Sequence, residues 1–168
     1  TLSKNLERQV SKGTLDADKA AAAKARIRTS TDYTQLSAAH LVIEAATENL
    51  QLKQRILQQV AANVAADCLI ATNTSSLSVT QLAASIEHPE RFIGVHFFNP
   101  VPMMALVEII RGLQTSDNTY AQALVVTEKV GKTPITAGNR PGFVINRILV
   151  PMINAVSYTH LRAHETRG

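Results

Sequence analysis

The chain has 168 residues, 45% of them hydrophobic and 18% charged, with a formal net charge of +4. That length suits one domain with a sizeable core, or one domain and part of a second. No apolar run is long enough to span a bilayer, and the few aromatic residues do not interleave with the scattered Lys and Arg. Neither a membrane segment nor a nucleic-acid surface is therefore indicated. The mild positive balance suits an anionic small molecule but decides nothing alone. Cys68 is the single cysteine, which excludes an internal disulfide. Standing just before Leu69-Ile70-Ala71, it reads as a small buried residue rather than a reactive thiol.

Leu2, Leu6 and Val10 recur at helical spacing and predict a helix from Leu2 to Lys12 that closes on Gly13. An alanine-rich helix is expected from Asp16 to Ala25, then a short strand from Ile27 to Thr31. A buried strand follows at Leu41 to Ala46. The next helix, Leu50 to Ala65, is expected to show Leu52, Ile56, Val60 and Val64 on one face. Further strands are predicted at Leu69–Thr72, Phe92–Phe97, Leu106–Ile110 and Pro134–Thr136, with helices at Val79–Ala84 and Thr119–Val130. Short apolar strands alternating with amphipathic helices imply an α/β layer fold with a largely parallel sheet. Gly138-Asn139-Arg140-Pro141-Gly142 reads as a turn or linker, and an apolar helix from Phe143 to Val156 begins a new element, so a domain boundary is placed near Pro141.

Ligands of such sheets sit beyond the C-terminal strand ends. Three polar clusters fall there: Thr47-Glu48-Asn49, Thr72-Asn73-Thr74-Ser75-Ser76 and Asn99-Pro100. The second cluster reads either as a helix-capping turn or as a hydroxyl source for a ligand. His96 is near a strand end, and by itself it reads as a half-buried structural histidine. Glu108 stands between apolar neighbours in a short strand, where a buried carboxylate needs a partner. If the two strands are close, His96 and Glu108 form either a structural ion pair or a carboxylate–imidazole pair suited to general-base work. No G-x-S-x-G elbow, metal-ligand spacing, G-x-G-x-x-G or Walker-type loop is present.

Five strings, in matching order and separation, resemble the 3-hydroxyacyl-CoA dehydrogenase family, especially its 3-hydroxybutyryl-CoA members. They are Leu41 to Asn49 (LVIEAATEN), Ala71 to Leu77 (ATNTSSL), Gly94 to Pro102 (GVHFFNPVP), Leu106 to Glu108 (LVE) and Pro141 to Arg147 (PGFVINR). The resemblance covers Leu2 to Val156. It implies an incomplete Rossmann-type dinucleotide-binding domain over 1–140 and the start of an all-α C-terminal domain over 141–156. It also implies NAD as cofactor and reversible oxidation of an L-3-hydroxyacyl-CoA, short-chain such as 3-hydroxybutyryl-CoA, to the 3-oxoacyl-CoA in fatty-acid metabolism.

By the same resemblance His96 is the general base and Glu108 its acidic partner. Ser75 and Asn146 position the substrate oxygens, with Ser75 also close to the nicotinamide. Glu48, Lys53 and Asn99 are cofactor contacts, and Lys53 and Lys12 lie near the acyl-CoA. The resemblance further implies a homodimer when complete and a cytoplasmic, bacterial-type enzyme, with a mitochondrial location as the alternative. Two other readings are kept: a piece of a multifunctional fatty-acid oxidation enzyme, and a non-catalytic scaffold or binding relative.

Two departures accompany the resemblance. The family's opening strand, G-x-G-x-x-G turn, helix and acidic strand end have no counterpart after Thr1, so this stretch alone is expected to be inactive and to leave sheet edges unpaired. Ser157 to Gly168 is unlike the family and resembles the conceptual translation of a sequencing adapter. That tail, 157–168, is expected to be non-native, and His160 and His164 are assigned no role.

Overall fold

Among the described residues five short segments form strands: β1 (Leu41–Glu44), β2 (Leu69–Thr72), β3 (Phe92–Phe97), β4 (Leu106–Ile110) and β5 (Thr133–Ala137). Six segments of the described residues form α-helices: α1 (Leu2–Ser11), α2 (Ala17–Ala25), α3 (Leu50–Asn63), α4 (Val79–Ala83), α5 (Asp117–Lys129) and α6 (Ile145–Arg162). The computed structural model describes residues 2–162, and the side chains of the tail from Tyr158 onward, His160 and His164 among them, lie outside what is described. The chain divides into two compact units, Thr1–Asp32 and Tyr33–Gly168.

The first unit is the α1–α2 hairpin. Gly13 takes φ +69, which reverses the chain after α1 at no steric cost. Asp16 caps α2 by accepting from the Asp18 and Lys19 N–H groups. Lys12 stands in the turn just past α1 and is exposed. The stretch after α2 forms no strand, contrary to the expectation for Ile27–Thr31. Its one apolar side chain, Ile27, is 50% exposed, so the stretch buries little apolar surface, and the Ile27 N–H donates back to the Lys24 carbonyl at 3.2 Å.

In the second unit the strands form one sheet in the order β1-β2-β3-β4-β5. Parallel pairing joins β1 to β2, β2 to β3 and β4 to β5, whereas β3 and β4 run antiparallel. The central strands β2, β3 and β4 are covered on both faces, which explains why they read as continuous apolar runs. On one face Ile70, Phe92 and Ile110 pack with Leu57, Val60, Val79, Leu82 and Phe143. On the other, Leu69, Ala71, Ile93, Val95, Val107 and Ile109 pack with Ala123 of α5. Residue parity then places His96 and Glu108 on the first face, in line with Phe92 and Ile110.

Helix α3 turns Lys53, Leu57 and Val60 inward, while Leu52 is 39% exposed. Ile56, Val60 and Val64 of the expected face pack on the core as well, and Leu52 alone departs from it, its place taken by Lys53, which has an acidic partner in the interior, described below. Asn49, Ser78 and Ser116 cap α3, α4 and α5. Arg91 closes the other end of α3 by donating to the Ala61 and Ala65 carbonyls. Cys68 is fully buried, and burial pushes its thiol pKa up, as suits an inert packing residue. No helix among the described residues is long and apolar enough to cross a membrane.

Gly94 sits in β3 opposite Ile110, where an added Cβ would come within 2.8 Å of Val79 Cγ2 and 2.9 Å of Ile110 Cβ. Both neighbours are fully buried and cannot swing away. Gly94→Ala is expected to destabilise the fold by about 1–3 kcal/mol through overpacking. A urea midpoint equal to wild type would contradict that.

Candidate active site

Because β1, β2 and β3 are parallel, their C-terminal ends share one edge of the sheet, and the three polar clusters follow those ends. Glu48, just after β1, ties the first cluster to the second. Its carboxylate accepts from the Ser75 N–H at 2.8 Å, the Thr74 hydroxyl at 2.8 Å and the Ser75 hydroxyl at 3.4 Å. Asn73 Oδ1 accepts from the Phe97 N–H at 2.8 Å and so links the end of β2 to that of β3. The capping role weighed for the Asn73–Ser76 cluster belongs instead to Ser78, which accepts from Gln81 N–H. That leaves the Ser75 hydroxyl half-buried at the strand edge with one long internal contact.

His96 and Glu108 face each other directly across the β3–β4 ladder. Nδ1 of His96 lies 2.8 Å from Oε2 of Glu108, with both side chains buried. The second carboxylate oxygen, Oε1, accepts from the Val144 N–H at 2.9 Å and the Ile145 N–H at 3.0 Å. Glu108 therefore serves two elements: it orients the imidazole and also caps the start of α6. Three hydrogen bonds and the positive end of a helix offset the desolvation of a fully buried carboxylate. With Nδ1 committed to Glu108, Nε2 is the nitrogen left to exchange a proton with a ligand. The ring is flanked by Phe98, centroids 4.7 Å apart, and by Phe143 at 5.7 Å edge-on.

A second buried carboxylate ends β1. Glu44 forms an ion pair with Lys53, and accepts from the Thr72 hydroxyl at 2.9 Å and the Ala46 N–H at 2.8 Å. Lys53 is 1% exposed, so its ammonium is committed to this pair rather than left free in solvent for a ligand. Beside it a shallow cleft is lined by Ala45, Ala46, Thr47, Glu48, Lys53 and Asn73.

The family model for the 3-hydroxyacyl-CoA dehydrogenase NAD-binding domain matches residues 1–140. The chain belongs to the 3-hydroxyacyl-CoA dehydrogenase family. It is 42% identical over 159 residues to a 3-hydroxybutyryl-CoA dehydrogenase of Bradyrhizobium diazoefficiens, covering 95% of this chain and 54% of that protein. It is 45% identical over 150 residues to the fatty acid oxidation complex subunit alpha of Acinetobacter baylyi, covering 89% of this chain and 21% of that protein. Among solved structures, the (S)-3-hydroxybutyryl-CoA dehydrogenase of Ralstonia eutropha matches with a TM-score of 0.91 and 53% identity, over 94% of this chain and 56% of that one. The chain thus spans about half the length of the stand-alone dehydrogenases and about a fifth of the alpha subunit.

Within this family the matched domain is the one that binds NAD, and the strand-edge cleft fits part of that cofactor. Ala45 and Ala46 leave open backbone for a flat ring or sugar to approach, and exposed Glu48 offers a carboxylate to ribose hydroxyls. A glycine-rich loop for the pyrophosphate is not among these residues. Of the other site candidates, Asn146 falls in the first turn of α6, next to the N–H groups that Glu108 holds. Asn99 is exposed in the loop after β3, and Lys12 belongs to the separate helical hairpin. Sequence reading did not find the Val144 and Ile145 contacts, because backbone donors leave no residue-type signature. It also missed the Glu44–Lys53 pair, although a lysine in phase with Leu57 on α3 was a visible signal.

Proposed function

We propose that this chain supplies the catalytic centre of an NAD-dependent dehydrogenase that oxidises L-3-hydroxyacyl-CoA, short-chain substrates such as 3-hydroxybutyryl-CoA foremost, to the 3-oxoacyl-CoA. The observation that carries the reading is the buried His96–Glu108 pair at the sheet edge that also bears Ser75 and Glu48. NAD supplies the acceptor for the hydride that leaves C3 of the substrate. His96 Nε2 takes the proton of the 3-hydroxyl as that carbon becomes a carbonyl, and Glu108 stabilises the imidazolium through Nδ1–H. Ser75 and Asn146 hold the oxygens of the substrate, with Ser75 also at the nicotinamide end. Glu48 and Asn99 contact the cofactor, and Lys12 meets the CoA moiety. Lys53 shapes the cleft that cofactor and substrate share, through its bond to Glu44.

Residues 1–140 are the NAD-binding part of this enzyme, and 141–156 open a helical C-terminal domain. Ile148, Leu149, Val150, Met152, Ile153 and Val156 of α6 are 44–58% exposed, which supports further helices or a second copy covering them in a homodimer. The bacterial relatives support a cytoplasmic setting. Identity to the oxidation-complex alpha subunit favours a second context, the dehydrogenase part of a multifunctional enzyme. The full-length protein carrying this segment is expected to produce NADH from 3-hydroxybutyryl-CoA. No turnover with 3-hydroxyacyl-CoA of any chain length would overturn the reading and favour a non-catalytic relative.

A further inference from the structure

We propose that Phe143 is a positioning residue for His96, holding the imidazole by its ring and the partner carboxylate by its backbone. This rests on the dehydrogenase reading for its kinetic consequence, though not for its structural one. Phe143 has φ +48, in the left-handed region that bulky L side chains rarely adopt. The preceding Gly142 has φ +75, and a Cβ there would meet the Arg147 N at 3.0 Å. The two successive left-handed residues turn the chain sharply at the entry to α6. The turn is closed by Phe143 N–H donating to the Arg140 carbonyl at 2.9 Å and by Arg147 N–H donating to the Gly142 carbonyl at 3.0 Å. Directly after it come the two N–H groups, of Val144 and Ile145, that converge on Glu108 Oε1.

What holds an unfavourable backbone conformation must be packing, and Phe143 supplies it. Its side chain is 3% exposed and belongs to the apolar cluster of Ile70, Phe92 and Ile110. Its ring edge also meets the His96 imidazole with centroids 5.7 Å apart and planes at 61°. Phe98 approaches the same imidazole at 4.7 Å, so the histidine ring has two aromatic neighbours and a carboxylate at Nδ1. Truncating Phe143 removes the anchor of the turn and one wall of the imidazole slot together. The ring of His96 then gains freedom to rotate away from Glu108.

Isotope-labelled full-length protein carrying this segment should show a downfield His96 Nδ1–H proton resonance from the bond to Glu108. That signal should broaden in Phe143→Leu, which keeps apolar volume without the flat ring, and vanish in Phe143→Ala. In the full-length enzyme, Phe143→Ala should lower kcat by about 10- to 100-fold, the scale of a misplaced catalytic group, with the KM for NAD unchanged. A wild-type resonance in any folded variant would overturn the proposal, and the Leu variant decides alone if the Ala variant does not fold. Should the full-length wild type oxidise no 3-hydroxyacyl-CoA, the dehydrogenase reading falls while the resonance still decides whether Phe143 positions His96.

Discussion

Glu108→Gln is expected to lower kcat of the full-length dehydrogenase by about 10²- to 10⁴-fold, the range assigned to a positioned general base, while leaving the melting temperature near wild type. The reason is the division of labour between the two carboxylate oxygens. The amide oxygen of Gln can still accept from the Val144 and Ile145 N–H groups, so the start of α6 stays capped. The amide nitrogen would then face His96 Nδ1, which must become the acceptor. That places the proton on Nε2, the nitrogen required to take one from the substrate, and removes the negative charge that stabilises the imidazolium. Glu108→Ala should differ by also losing stability, since it strands buried donors at about 1–3 kcal/mol each. Turnover within a few-fold of wild type in the Gln variant would show that Glu108 is a structural cap and no more.

Lys53→Met should be among the most destabilising single changes, at about 3–5 kcal/mol, because it leaves Glu44 as a buried carboxylate without its counter-charge. The Thr72 hydroxyl and Ala46 N–H remain as partners but supply no charge. A double variant, Glu44→Leu with Lys53→Met, should recover part of the loss, since it removes the charge along with its partner and strands only the two neutral donors. Urea denaturation of the single and double variants measures this directly. A Lys53→Met chain within about 1 kcal/mol of wild type would mean that the pair contributes as little as an exposed one.

Much of this architecture was legible because short strands and amphipathic helices leave different periods. The periods locate all five strands to within a few residues, and the polar clusters at the ends of β1, β2 and β3 follow strands that run parallel. Glu108 was conspicuous as a carboxylate in an apolar strand, and the ladder places His96 opposite it. What failed were features that depend on partners distant in sequence. Ile27–Thr31 has strand-like composition but forms no strand among the described residues. On α3 the apolar period places Ile56, Val60 and Val64 against the core, but it gives no sign that Lys53 rather than Leu52 turns inward, because Glu44, nine residues earlier, draws it into the interior. The bond from Glu108 to α6 lay beyond sequence reading because Val144 and Ile145 contribute only backbone donors. The roles of Ser75, Asn146, Asn99 and Lys12 came from family resemblance, since none of them departs in local pattern from an ordinary polar residue.

The most direct measurement is turnover of the full-length His96→Ala enzyme with 3-hydroxybutyryl-CoA and NAD, alongside NADH binding and circular dichroism. If His96 is the base, kcat falls by at least about 10²-fold, while NADH binding and secondary structure remain those of wild type. Unchanged turnover would remove His96 from the chemistry and, with it, the mechanism built on the buried pair.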